Sequence, residues 1–300
     1  MYSLRSARIG AAILGGSLLL TIAVAPATAK HYSAWSSPAS IETLPGSSSD
    51  VNTAALDGCP IQSPDGLSLY IASTRTGGLG GIDLWVAHRS STSVGFGTPV
   101  NLTALNSGAD DFCPTPVRGK GLFFVSSRGG NPDIYFARKS PAHGWSAPIS
   151  LGAPINSGLP EFSPSYFEAD GRTFLYFSRG PDIYSAELQG NGSWGSVGPV
   201  AELNSALSDF RPNVRKDGLE IVFDSNRHGR ADQDLYFATR SSVNAAWSDP
   251  VSAGSAINTG ANETRGSFSW DAEMLVFGRA PGPEGGSDIF FVTRTKVPGG

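Results

Sequence analysis

The chain has 300 residues, of which 16% are charged and 10% aromatic, with 37 glycines and 21 prolines. Low charge with abundant glycine and proline is typical of many short strands joined by tight turns. An apolar content of 40% argues against a globally disordered chain. The net charge is −4 and there is no basic run, which argues against a nucleic-acid partner.

Residues 1–29 have the pattern of a secretory signal peptide. Arg5 and Arg8 precede an apolar run over residues 9–25, and a small-x-small cleavage signal follows at residues 27–29. An uncleaved membrane anchor is the alternative, because the apolar run approaches the length that spans a bilayer. We expect an exported protein, periplasmic or extracellular, that is not integral to the membrane after the signal is cleaved.

A pattern of about 50 residues then recurs five times. Each unit begins with an aromatic residue, continues with Asn and an acid five residues later, and reaches a proline or glycine anchor. A tight turn follows, then a β-rich run, an arginine that opens a Gly-rich loop, and an Asp-apolar-aromatic triplet. The anchors are Pro60, Pro114, Pro164, Pro212 and Gly266.

Each unit offers about four short strands and no amphipathic helix, which is the content of one propeller blade. The repeat therefore predicts an all-β, five-bladed β-propeller with about four antiparallel strands per blade, forming a single domain over residues 30–300. A linear β-solenoid or two sandwiches are the alternatives, but solenoid repeats are usually shorter and two sandwiches would not explain one uninterrupted register. The predicted blades are approximately 35–89, 95–139, 144–189, 193–240 and 246–294.

Residues 63–66, 70–75 and 80–84 resemble the PD40, or WD40-like, repeat of TolB-type propellers. The similarity covers all five units and is weakest in the fifth, where Gly266 replaces the proline and Ala272 the turn glycine. The resemblance implies an envelope or extracellular propeller that serves as a protein- or ligand-binding platform. TolB has six blades and an N-terminal α/β domain, neither of which is visible here, so its role in the Tol system is not implied.

The acid of each unit stands just before a first strand, and these five acids are the candidate catalytic residues. In a propeller the innermost strands begin at one rim of the central channel, so the five carboxylates would form a ring. They could make a metal or sugar site with an acid/base pair, or each could tie its own loop to backbone N–H groups. Repetition in every unit favours the second interpretation. The acids are Asp57, Asp111, Glu161, Asp209 and Glu263.

The residues two positions after each acid differ between units. Side chains two apart on a strand point the same way, so these residues are predicted to lie one layer below the acids. Arg211, Arg265 and Ser163 are candidate ligand-binding residues, and the two arginines would either hold an anionic ligand or neutralise the acid ring. The intervening phenylalanines are predicted to pack between blades. They are Phe112, Phe162 and Phe210.

Cys59 and Cys113 occupy this same position in adjacent units. Export would allow a disulfide between them, whereas the splay of inner strands around a channel opposes one, because bridged Cα atoms lie within about 7 Å. Two thiols without histidine at a fixed spacing do not indicate a metal site.

The Gly-rich loops supply further candidates. Arg75 and Asp83, with their counterparts in the other units, are expected to brace each loop. The loops at 226–232 and 280–287 are the most distinctive, and the first adds Arg227 and His228 as candidate ligand-binding residues.

The first functional hypothesis is a binding platform for a protein, a glycan or a small ligand. The alternative is a hydrolase or lyase that acts on a carbohydrate or lactone through carboxylates at the channel mouth, and a structural module of an envelope complex is a third reading. The sequence identifies no cofactor, although a carboxylate ring would accept a divalent cation such as calcium. We expect a monomer.

Overall fold

The computed structural model describes residues 32–297, so the predicted signal peptide at residues 1–29 lies outside the described residues. The described chain is all-β apart from one 3-10 turn, Ile41–Thr43. Five antiparallel sheets form the blades of a five-bladed β-propeller, as the repeat predicted. No helix within residues 32–297 is long and apolar enough to cross a membrane.

Every blade runs outward from its first strand, and the outer strand has two residues except in blade 3. Blade 1 contains β2 (Asp57–Gln62), β3 (Ser68–Ser73), β4 (Asp83–His88) and β5 (Val100–Asn101). Blade 2 contains β6 (Asp111–Val117), β7 (Gly121–Ser126), β8 (Asp133–Ser140), β9 (Gly144–Trp145) and β10 (Ile149–Ser150). Blade 3 contains β11 (Glu161–Ala169), β12 (Arg172–Arg179), β13 (Asp182–Leu188) and β14 (Trp194–Pro199). Blade 4 contains β15 (Asp209–Val214), β16 (Glu220–Ser225), β17 (Asp234–Thr239) and β18 (Val251–Ser252). Blade 5 contains β19 (Asn262–Phe268), β20 (Met274–Ala280), β21 (Asp288–Thr293) and β1 (Ala39–Ser40).

The blades are offset from the sequence repeats by one strand. The segment that opens each repeat supplies the outer strand of the preceding blade, so each blade ends one strand later than the predicted boundaries. The fifth blade is completed by the N-terminal strand β1, in which Ala39 pairs with Phe291. A repeat pattern has no intrinsic first strand, so only the pairing of β1 with β21 shows how the ring closes.

Apolar side chains of neighbouring blades fill the spaces between the sheets in five core clusters. The asparagine of each repeat fastens neighbouring blades beside these clusters. The Asn156 side-chain oxygen accepts the Ile134 backbone N–H at 2.9 Å, and its amide nitrogen donates to the Ile134 carbonyl at 3.0 Å. One side chain thus satisfies both backbone groups of a residue in the preceding blade.

The first strands contact one another in a closed ring around the central channel. The first strands begin at one end of the channel, which we call the acid end. The hairpin turns between first and second strands lie at the other end, which we call the turn end. Two residues after its acid, each first strand has a β-bulge, with positive φ angles of 47° to 54°. A bulge breaks the two-residue alternation, so strand alternation does not determine where these side chains point. They are Cys59, Cys113, Ser163, Arg211 and Arg265.

Candidate functional site

The five candidate catalytic acids are fully buried and bound on both sides. In blade 1, the Asp57 carboxylate accepts the Thr53 backbone N–H at 2.6 Å and pairs with Arg75 at 2.5 Å. The same pairing joins Asp111 to Arg128, Glu161 to Arg179, Asp209 to Arg227, and Glu263 to Arg279. The acids therefore tie down their own loops, and none of the five is available as a general acid or nucleophile.

The partners of the loop arginines differ from those predicted. Arg75 does not pair with Asp83; it bonds to Asp57 and to the backbone carbonyls of Asp50 and Val51. Arg227 is likewise occupied by Asp209 and by the Leu203 carbonyl, so the proposal that it contacts a ligand is replaced by a structural role. A buried carboxylate needs a paired charge, and the arginine supplies it in each blade.

The channel is closed a short distance below the acid end. Cys59 and Cys113 form a disulfide between blades 1 and 2, with their Cα atoms 5.0 Å apart. The bulge brings the two side chains together although the strands splay. Ser163 is fully buried and donates its hydroxyl to the Cys113 sulfur at 3.2 Å, so it is not accessible to a ligand.

Arg265 crosses the channel from blade 5 to blade 2. Its Nη2 donates to the Pro114 carbonyl at 3.2 Å and to Thr115 Oγ1 at 3.0 Å. The side chain is fully buried, and burial lowers the pKa of Arg265 to about 9. Arg265 therefore fills the channel, and it neither binds an external anion nor neutralises the acid ring.

Arg211 is the predicted ligand contact that reaches the acid-end surface. One third of its side chain is exposed, at 34%, and its Nη1 pairs with the fully buried Asp224 at 2.6 Å. The second oxygen of Asp224 accepts the Arg265 backbone N–H at 2.9 Å. Burial raises the pKa of Asp224 above its ordinary value, although Arg211 acts in the opposite direction.

Three phenylalanines stand at the start of the first strands of blades 2 to 4. Each is the second residue of its first strand and is partly exposed, and none belongs to the core clusters of residues 32–297. Two of them pack between blades as predicted, Phe112 of blade 2 against Phe162 of blade 3. The rings of Phe112 and Phe162 are 6.2 Å apart, and the Arg211 guanidinium lies 5.7 Å from the Phe210 ring. We call Phe112, Phe162 and Phe210 the aromatic crescent.

The crescent occupies only part of the channel mouth. Blades 1 and 5 have Gly58 and Thr264 at the same position, so the mouth is aromatic on the side of blades 2 to 4. This asymmetry distinguishes the crescent from the repeated acids.

His228 lies in a charged cluster on the blade 4 loop. Donor atoms of His228, Asp232 and Asp234 lie within 4.8 Å of one another, an arrangement that could suit a metal ion. Arg230, however, pairs with both carboxylates. His228 Nδ1 also accepts the Arg230 backbone N–H at 3.0 Å, so the proton of the neutral ring is on Nε2, 3.2 Å from Asp234. Arg230 therefore offsets one of the two carboxylate charges, and its guanidinium occupies both carboxylates.

Solved glycoside hydrolases share this fold. The chain is 14% identical to an endo-arabinase from Bacteroides thetaiotaomicron VPI-5482, with a TM-score of 0.54 over 88% of this chain and 99% of that one. It is 14% identical to an alpha-L-arabinofuranosidase from Lactobacillus brevis, with a TM-score of 0.55 over 82% and 93%. At these identities the similarity shows the fold alone.

A TolB protein from Agrobacterium tumefaciens is 15% identical over 82% of this chain and 92% of that one. Its TM-score of 0.48 is too low to support the resemblance to TolB-type propellers. No protein-family model and no curated protein sequence matches the chain. The PD40 resemblance therefore stays a prediction.

Two features of the site were missed in the sequence. Asp224 is on a second strand. The sequence signal for it was a charged residue at a position where the other blades have uncharged residues, namely Ala72, Val125, Ser178 and Gly278. The turn end was also overlooked, although Trp270 stands where the first repeat has Pro64. Both are departures from the repeat.

Proposed function

We propose that this chain is an exported carbohydrate-binding propeller whose ligand rests on the aromatic crescent. The supporting observation is the group of three partly exposed rings, one of which contacts Arg211, at a position where blades 1 and 5 carry no aromatic residue. Aromatic faces suit the apolar C–H faces of sugar rings, and a partly exposed guanidinium can donate to sugar hydroxyls. The disulfide is consistent with an oxidising compartment outside the cytosol.

A carbohydrate hydrolase is the second candidate. The fold similarity to an endo-arabinase and an arabinofuranosidase supports it more directly than it supports a platform for proteins. The buried, arginine-paired state of the five acids weighs against it, because glycoside hydrolysis generally uses two available carboxyl groups. Asp224 is also buried and paired with an arginine, but burial raises its pKa and its partner Arg211 is one-third exposed, so Asp224 is the acid through which this candidate is tested.

The binding proposal is tested by calorimetry with arabino-oligosaccharides, and with xylo- and gluco-oligosaccharides for comparison. We expect Phe162→Ala to weaken binding at least tenfold, because it removes the central ring of the crescent. Ile149→Ala is the matched control, an exposed apolar residue on the outer strand of blade 2. Absence of binding to every oligosaccharide, or equal loss in both variants, would refute the proposed site.

Hydrolysis is tested on the same oligosaccharides by mass spectrometry of the products. Product formed by the parent and lost in Asp224→Asn would support the second candidate. Binding without product in the parent would leave the chain as a binding protein.

A further inference from the structure

A group of cations at the turn end of blade 2 takes no part in holding the scaffold together. Arg118, Arg138 and Lys139 are exposed and form no ion pair within the part of the chain that the structure describes. Elsewhere, arginines such as Arg89 and Arg294 bond to turn carbonyls or to a buried acid. The chain as a whole has a net charge of −4, so a local excess of cations is a departure from its general character.

Three lysines in this region each lie against an aromatic ring. The ammonium nitrogens are 4.9 Å from the Trp145 ring for Lys139, 5.4 Å from the Tyr166 ring for Lys120, and 5.0 Å from the Trp270 ring for Lys216. Trp270 is 41% exposed. Each pair presents an aromatic surface and a positive charge within a few ångströms of each other.

Two cavities join these pairs into one surface. A cavity of about 380 Å³ is lined by Arg118, Lys120, Tyr166, Lys216 and Trp270. A second cavity of about 520 Å³ shares Arg118 and Lys120 and adds Lys139 and Trp145. We call the surface formed by these seven residues the basic cleft.

Clefts between blades recur around the turn end, but their content does not. The cavity between blades 4 and 5 holds Arg215 and Arg294, which both pair with the buried Glu220, and Arg240, which bonds to the Gly218 carbonyl. In the basic cleft, Glu168 pairs with Lys120 at 2.5 Å, and Asp65 and Asp217 also line the cavities. The four cations of the cleft exceed its three acids by one charge and lie beside aromatic faces, which a polysaccharide carrying carboxylates would match.

We propose that the basic cleft binds an acidic polysaccharide of the uronate class, with sugar rings on Trp270 and Tyr166 and sugar carboxylates on Arg118 and Lys139. The aromatic faces favour a pyranose chain over a polyanion without rings. The cleft lies at the opposite end of the channel from the aromatic crescent, so this site does not depend on the function proposed above.

The test is calorimetry of the purified protein with oligogalacturonate and with its methyl ester, which keeps the rings and removes the charges. We expect binding of the acid form, loss of binding on esterification, and weaker binding at higher salt. Trp270→Ala should weaken binding about tenfold, and Arg118→Ser and Lys139→Ser each at least threefold. Lys296→Ser is the control that removes the same charge from blade 5, and it should bind as the parent does.

Several results would overturn the proposal. They are no binding of oligogalacturonate, equal binding of the methyl ester, or unchanged affinity in both Arg118→Ser and Trp270→Ala. Co-sedimentation with anionic lipid vesicles in the absence of oligogalacturonate binding would assign the cleft to a membrane surface instead. Thermal unfolding of each variant distinguishes a lost contact from a lost fold.

Discussion

The polar side chains that recur in every repeat hold the blades to their own loops and to one another. The acids and arginines pair within each blade, and the asparagines bind the preceding blade. The residues that depart from the repeat, such as Arg211 and Asp224, are instead grouped at the channel mouth. At the scale of single residues, repetition therefore indicates scaffold, whereas a departure indicates either a scaffold contact, as in the Cys59–Cys113 disulfide, or a candidate site.

Asn258 offers a test of the scaffold role. Its side chain accepts the Leu235 N–H at 2.9 Å and donates to the Leu235 carbonyl at 3.0 Å. Asn258→Ala leaves two buried backbone groups unpaired, so we expect unfolding free energy to fall by about 1–3 kcal/mol in urea titrations. Asn191→Ala, in an exposed hairpin, is the control and should change stability by less than about 0.5 kcal/mol. Equal effects would contradict this role.

Asp224 predicts a pH dependence. Burial raises its pKa in the folded state above 3.8, so the folded protein binds the proton more tightly than the unfolded chain. The stability contributed by this group is complete below the unfolded pKa and is lost as pH rises through the folded pKa. Asp224→Asn lacks this loss, so its unfolding free energy relative to the parent should increase as the pH rises above about 4. Asp170→Asn, in an exposed turn, is the control. A difference that does not vary with pH would contradict the prediction.

At the scale of elements, the β-bulge in each first strand decides what faces the channel. A residue with positive φ stands at the bulge in all five blades, and none of the five is glycine. The left-handed conformation costs about 1–2 kcal/mol for a residue with a side chain. The bulge thereby directs the disulfide, Arg211 and Arg265 away from the positions that strand alternation predicts.

Ser163 isolates this conformational cost, because its φ is 51°. Ser163→Gly and Ser163→Ala both remove the hydroxyl, and they differ only in the side-chain carbon. We expect the glycine variant to be more stable than the alanine variant by about 1 kcal/mol in urea titrations. The same pair of substitutions at Ser165, outside the bulge, should show the reverse order. The same order at both positions would exclude a bulge-specific cost.

At the scale of the whole molecule, four of the five seams between first strands are bridged by a polar side chain. Thr115 donates to the Pro164 carbonyl, Ser165 accepts from Val214, Asn213 accepts from Phe268, and Ser267 donates to the Pro60 carbonyl. Blade 1 has the apolar Ile61 at this position, so it cannot bridge to blade 2. The disulfide joins those two blades, and Arg265 satisfies the Pro114 carbonyl.

The disulfide should therefore stabilise the closed ring of first strands. Its cysteines are 54 residues apart, and closing a loop of that length corresponds to about 4 kcal/mol in the chain-entropy model. We expect the double variant Cys59→Ser, Cys113→Ser to lose about 2–4 kcal/mol of unfolding free energy. A reducing agent should produce a similar loss in the parent and none in the double variant. Unchanged stability in the reduced parent would show that the seam is held by other contacts.

The amino-acid sequence by itself determined the five-fold repeat, the all-β propeller and the scaffold role of the repeated acids. These follow from local patterns: turn residues, β-rich runs and polar pairs at constant spacing. The same patterns singled out Arg211 as a residue that departs from the repeat.

The tertiary structure alone decided how the ring closes and what lies in the channel. The pairing of β1 with β21 joins segments from opposite ends of the chain, and no local pattern specifies such a partner. The bulge residues are recognisable only from backbone φ, because Cys59, Ser163 and Arg265 carry side chains that ordinarily avoid the left-handed region. Asp224 and the basic cleft were likewise hidden, since each brings together residues from different blades.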